Sequence, residues 1–187
     1  MTNLLDLSLR DCDSIAILDE LPTGERYYLP KIANDSGRDG LIVRFAIGSE
    51  HEWVGVFAFG EHGQGYPSCV VPLPNSDLVV VVSNGAGYLI HEQIPESCKS
   101  VKSVPVRSLH CIASCGLLVL ADDTTLVAYG SNGLIWETGR IGWHNIRIER
   151  VGNNRIQGTT FDVRSDEDVV FSVDALSGKV EGGIEIS

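Results

Sequence analysis

The chain has 187 residues, 43% of them hydrophobic and 21% charged, an ordinary globular composition long enough for one domain of usual size or two small ones. Its 25 acidic and 14 basic residues leave a formal net charge of −11, and no cluster of Lys and Arg is present to release counterions from a phosphate backbone. Nucleic acid and anionic membrane surfaces are thereby excluded as expected partners, and a basic protein partner fits the charge better.

The N-terminal stretch, MTNLLD, has no basic region ahead of its apolar residues and does not read as a signal peptide. No apolar run approaches the ~20 residues a membrane-spanning helix needs. Cys12, Cys69, Cys98, Cys111 and Cys115 are odd in number and irregularly spaced, as expected for reduced thiols in a cytoplasmic protein rather than a disulfide framework.

In chain order, residues 14–21 read equally as a short helix capped by Ser14 and stopped by Pro22, or as a strand through Ile15, Ile17 and Leu18. From Arg26 onward the pattern is strand, turn, strand. Residues 41–47 (LIVRFAI) and 52–59 (EWVGVFAF) predict a hairpin around 48–50. The segment 60–68 (GEHGQGYPS) follows, a Gly-rich loop that carries His62 and Tyr66 and has neither the Lys nor the helix of a phosphate loop. As a loop on a rigid scaffold it is a candidate binding element, with a plain flexible turn as the simpler reading.

Internal repetition is the strongest signal. The strand 78–82 (LVVVV) returns 39 residues later as 117–121 (LLVLA), and Ile156 opens a third copy at the same offset from Leu117. The second strands, 88–90 and 127–129, keep that spacing, whereas the third comes five residues late because of the insert 164–168 (RSDED). Each unit reads as an apolar strand, a polar turn, a second strand, a Gly turn and a more polar outer strand. In the second unit the outer strands are expected at 134–138 and 146–150. The prediction is a single all-β domain of antiparallel sheets over 1–187. Residues 76–187 form three tandem propeller-blade-like units, and 1–75 supply additional strands. A partly open propeller and a β-sandwich both satisfy four to five such units.

The segment 117–136 (LLVLADDTTLVAYGSNGLIW) resembles one blade of the quinoprotein-type β-propellers, whose repeats end on an A-x-D-x-x-T-G-x-x-x-W pattern. Ala128, Gly133 and Trp136 follow that outline, and Asp174 and Gly178 match it again. Gly130 replaces its Asp, and Gly182 stands where the second copy would have Trp. The resemblance implies blade-like packing and nothing about a quinone. The chain is also similar to small uncharacterised bacterial β-rich proteins that carry a D-x-T-x-L-x-A-Y-G-x-x-G-L-x-W segment, here 122–136.

Asn84, Asp123 and Asp162 occupy equivalent positions. They invite a cation-binding reading, but recurrence at every unit favours turn closure by short polar side chains. His110, Cys111 and Cys115 form an H-C-x-x-x-C run without the second ligand pair that structural zinc requires, so no metal and no cofactor are expected. Trp136, Arg140, Trp143 and His144 lie close in sequence and could line a ligand pocket, although a blade Trp at position 136 also serves to plug the gap between sheets. No G-x-S-x-G elbow is present. The expected function is a non-enzymatic protein-interaction module. The alternatives are a small-ligand or carbohydrate binder with a Trp-lined pocket, and an enzyme of unrecognised class. The candidate binding residues are His62, Tyr66, Trp136, Arg140, Trp143 and His144. Incomplete repeats leave sheet edges to cover, so a homodimer through an edge is expected.

Overall fold

The computed structural model describes residues 4–5, 14–24, 26–31, 39–47, 51–61, 63, 65–152 and 154–184. It is all-β, with four sheets whose strand orders are linear, so none closes on itself as a barrel. The chain divides into two compact units, Met1–Val106 and Arg107–Ser187.

The N-terminal unit contains β1 (Leu4–Leu5), β2 (Ile15–Leu18), β3 (Arg26–Leu29), β4 (Gly40–Ile47), β5 (His51–Ala58), β6 (Cys69–Pro72), β7 (Leu78–Ser83), β8 (Ala86–His91) and β9 (Ile94–Ser100). The segment that reads as helix or strand is therefore the strand β2. The expected hairpin forms as β4 and β5, antiparallel from Gly40↔Ala58 to Ile47↔His51. One sheet has the order β2-β4-β5-β3, with β3 parallel to β5; the other has the order β1-β6-β7-β8-β9, with β1 parallel to β6.

Val79, Val80, Val81 and Val82 are all fully buried. Both faces of β7 are covered, which is why its sequence is continuously apolar instead of alternating. Val79, Val81 and Tyr88 share one core with Ile15, Phe45, Trp53 and Phe57. The first 39-residue unit thus packs its inward face on the strands that precede it.

The C-terminal unit is two four-stranded antiparallel meanders. The first comprises β10 (Ser108–Ile112), β11 (Leu117–Ala121), β12 (Leu126–Gly130) and β13 (Gly133–Glu137), with a 3-10 turn at Ala113–Cys115. The second comprises β14 (His144–Gly152), β15 (Arg155–Asp162), β16 (Glu167–Asp174) and β17 (Val180–Gly182). β7, β11 and β15 each sit between an earlier and a later strand of their sheets, and they carry the 39-residue repeat. The segment 146–150, expected as an outer strand of the second unit, instead opens the next sheet as β14, paired with β15. Its alternation of exposed residues around buried Ile146 suits an edge strand in either sheet, and only pairing separates the two.

A single core spans both meanders, from Val119 and Ala128 to Ile156, Phe171 and Val173. Trp136 is buried within it and donates from Nε1 to the Ala175 carbonyl at 2.8 Å, tying β13 to the end of β16. Gly178, at φ 70°, lies against that indole, where an added Cβ would come within 2.8 Å of the ring.

Turn closure, expected of Asn84, Asp123 and Asp162, holds for Asp162 and passes to Asp122 in the second unit. Asp122 accepts from the backbone N–H groups of Thr124 and Thr125, both at 2.7 Å, while Asp162 accepts from Arg164 N–H at 3.1 Å. Asn84, at φ 46°, donates through Nδ2 to the carbonyls of Gly60 and Gly63, both at 3.0 Å, and so anchors the start of the Gly-rich loop. Asp123 differs: it makes a two-pronged pair with Arg107 at 2.9 and 3.0 Å.

Candidate functional site

The connection from β13 to β14 is fixed at several points. Thr138 Oγ1 accepts from Leu126 N–H at 2.9 Å, and Ile141 N–H donates to Thr124 O at 2.8 Å. The Ile141 carbonyl accepts from Ile184 N–H at 2.9 Å. Gly142 passes so close to Thr160 that any side chain there would collide with the hydroxyl, a close approach only glycine permits. These contacts determine where Trp143 and His144 emerge.

They emerge beside a cleft of about 840 Å³ between β14 and β10. From Trp143 through Ile148, six successive residues line it. Successive side chains of a strand point to opposite faces, so a groove over a sheet face would take every second residue. Asn145, at φ 64°, and the register shift between His144 and Arg147 break that alternation, so successive residues reach the groove beside β14. The facing wall comes from Arg107, Ser108 and His110, and β10 and β14 are each the terminal strand of their sheet.

The groove differs in charge from the chain as a whole. Its ionisable lining, among the described residues, is Arg107, Arg147, His110, His144 and Asp123. Asp123 is committed to Arg107. Arg147 donates to the Asn145 side-chain oxygen and meets Asp168 at 3.7 Å with both side chains well exposed, an ion pair worth at most ~1 kcal/mol. His110 Nε2 lies 3.1 Å from Ser108 Oγ, and burial pushes the His110 pKa below its ordinary value, favouring the neutral ring. A Ser–His contact two residues apart on one strand invites a nucleophile–base reading, but the carboxylate of the groove is engaged by Arg107 instead of orienting the imidazole.

Of the residues singled out from sequence, Trp143 and His144 line the groove. Trp143 is half-buried, with the Arg140 guanidinium 5.4 Å from its ring centroid, and its Nε1 is buried without a hydrogen-bond partner among the described residues. His144 is exposed and stacks on Phe161 at 4.8 Å. Trp136 belongs to the inter-sheet core and takes no part in the groove. Tyr66 lies in the N-terminal unit, half-buried with its ring against Gly85. His62 lies outside the described residues, as does Cys12.

Arg107, Ser108, His110, Asp123 and Arg147 were not legible as one site. The register Ser108↔Ala121 places Arg107 near Asp123, but the register follows from pairing that sequence does not print. Cys111 and Cys115 form no disulfide; Cys111 lies on β10 and Cys115 in the 3-10 turn, where its Sγ donates to Asn154 Oδ1 at 3.2 Å. Among the described residues no group of three or more His, Cys, Asp or Glu side chains is placed to hold a metal ion, and no helix is long and apolar enough to cross a membrane.

The fold and site define an all-β protein with a polar groove beside the terminal strands β10 and β14. No model of a known protein family matches the chain, and no curated protein matches it significantly, so the residues themselves carry the functional reading.

Proposed function

We propose that this chain is a non-enzymatic protein-interaction module of the cytoplasm, and that its receptor site is the groove along β14. The lining by six successive residues, Trp143 to Ile148, carries this reading: a groove along a strand edge offers main-chain groups to an extended segment, as in recognition by strand addition. The odd number and irregular spacing of the cysteines and the lack of a basic cluster support a cytoplasmic protein that does not bind nucleic acid. The similarity of 122–136 to the segment of small bacterial β-rich proteins, and of 117–136 to quinoprotein-type blades, supports a rigid presenting scaffold. The charge of −11 favours a basic partner.

The test is capture of a partner on the full chain, followed by amide hydrogen exchange of the purified complex. Slowed exchange concentrated in β14 and β10 is the expected result. Protection elsewhere overturns the site, and turnover of any substrate abolished by one side-chain change overturns the class.

A second reading, a small-ligand or carbohydrate binder, is favoured by the half-buried Trp143 ring at a cleft of ligand-like volume. Quenching of Trp143 fluorescence by a panel of monosaccharides would support it, and unchanged emission across the panel would remove it.

A further inference from the structure

The dipeptide Asn-Gly occurs twice at hairpin tips, as Asn84-Gly85 between β7 and β8 and as Asn132-Gly133 between β12 and β13. The pair is prone to a reaction of its own, because glycine has no side chain to keep its backbone nitrogen away from the preceding side-chain carbonyl. The two copies are held very differently.

Asn84 donates through Nδ2 to the carbonyls of Gly60 and Gly63, both at 3.0 Å, and through its backbone N–H to Ser68 Oγ at 2.9 Å. The nitrogen that would attack, that of Gly85, donates to the Pro67 carbonyl at 3.1 Å. The Tyr66 ring lies over Gly85, within 2.9 Å of where a Cβ would stand. Asn132 has none of these restraints. It is exposed at a two-residue turn closed by the pair Gly130↔Gly133, and among the described residues its side chain makes no hydrogen bond. Beyond the turn runs β13, the terminal strand of its sheet, with Leu134 and Ile135 exposed.

We propose that Asn132 is a site of spontaneous covalent modification, deamidation through a cyclic imide, and that the isoaspartyl product loosens β13. The Gly133 backbone nitrogen attacks the Asn132 side-chain carbonyl carbon. A C–N bond forms there as the bond to Nδ2 breaks, and Nδ2 leaves as ammonia with the proton given up by the Gly133 N–H. Water then opens the imide at either carbonyl, to an aspartyl or an isoaspartyl residue, and is the sole co-reactant. Ring closure requires the tip to open, since Gly133 is paired in the native ladder. At Asn132 that opening stays within one hairpin, whereas at Asn84 it breaks hydrogen bonds to Gly60, Gly63, Pro67 and Ser68.

The isoaspartyl form carries one more methylene in the main chain of a two-residue turn. The register of β13 on β12 sets where Trp136 falls, and Trp136 Nε1 reaches the Ala175 carbonyl at 2.8 Å. A longer turn displaces the strand that carries this bond.

The experiment is incubation of the folded full chain in mildly alkaline buffer, with peptide mapping by mass spectrometry at intervals and the same time course in denaturant. In the folded chain, conversion at Asn132 is expected, with Asn84 at least about tenfold slower. In denaturant the two rates should lie within about threefold of each other, because no fold then distinguishes them. Equal rates in the folded chain overturn the site, as does an Asn132 that converts only in denaturant. The isoaspartyl form, separated by ion exchange, is then compared with N132D, which has the added charge without the added methylene. Amide exchange in β13 should be about tenfold faster or more in the isoaspartyl form and within about twofold of wild type in N132D. Wild-type exchange in the isoaspartyl form, or equal acceleration in N132D, overturns loosening through the lengthened turn.

Discussion

In the N-terminal unit Trp53, on β5, donates from Nε1 to the Glu92 carbonyl at 2.7 Å; in the C-terminal unit Trp136, on β13, donates to the Ala175 carbonyl at 2.8 Å. In both cases the acceptor lies 39 residues further on and directly follows the third strand of a meander, β8 in one and β16 in the other. The surroundings differ. Trp53 stacks on Phe45 at 4.2 Å and meets Tyr27 edge-on at 5.8 Å, within a sheet widened by the parallel strand β3. Trp136 stands against Gly178 on the terminal strand of a plain meander. One lock, an indole donating across the gap between two sheets, serves both an elaborated and a regular pair. The repeat therefore encodes a sheet-to-sheet contact as well as a sheet.

Removing the indoles breaks the comparison most severely. Each Trp→Ala change should cost about 3–5 kcal/mol, from the lost burial, the cavity and an unpaired carbonyl. W53A should be the worse by about 1 kcal/mol, because it also removes two aromatic contacts. Denaturant unfolding monitored at amides of the unit concerned gives both values. A larger loss in W136A would mean that the aromatic stack around Trp53 adds nothing.

Gly178→Ala sharpens the C-terminal half of the comparison. It forces a side chain into the left-handed region and into the indole, and about 2 kcal/mol of destabilisation is expected by the same measurement. A neutral outcome would show that the Trp136 ring can withdraw without consequence.

A smaller effect concerns pH. Burial holds the His110 pKa below its value in the unfolded chain, so the unfolded state binds the proton first as pH falls. Stability from this group is full above the unfolded value near 6.5 and declines as pH drops through the folded one. In H110Q the stability curve should be flatter below pH 6.5 than in the wild type; an unchanged slope would place the titration elsewhere.

The smallest effect is expected at Trp143. Its buried, unpaired Nε1 is a liability that Trp136 and Trp53 do not carry, so W143F should leave stability unchanged or raise it by up to about 1 kcal/mol. A loss above about 2 kcal/mol would show that the N–H is satisfied.

Much of the architecture was legible because it is local. The apolar runs at 78–82 and 117–121, the hairpin at β4 and β5, and the turn-forming Asp162 follow from β periodicity and from short polar side chains closing turns, whereas the turn expected of Asp123 is closed by Asp122. The site was legible only in part. Trp143 and His144 stand out by composition, whereas Arg107, His110 and Arg147 are ordinary strand and loop residues until β10 and β14 face each other.

The sequence by itself determined the all-β class, the 39-residue spacing and the places where the chain turns, since each depends on residues a few positions apart. Tertiary structure alone decided that 146–150 opens a sheet instead of closing one, that Trp136 is a lock while Trp143 lines a groove, and that Arg107 meets Asp123 beside that groove. The physical reason is that strand pairing and sheet packing join residues distant along the chain, and alternation fixes which residues share a face without fixing what that face meets.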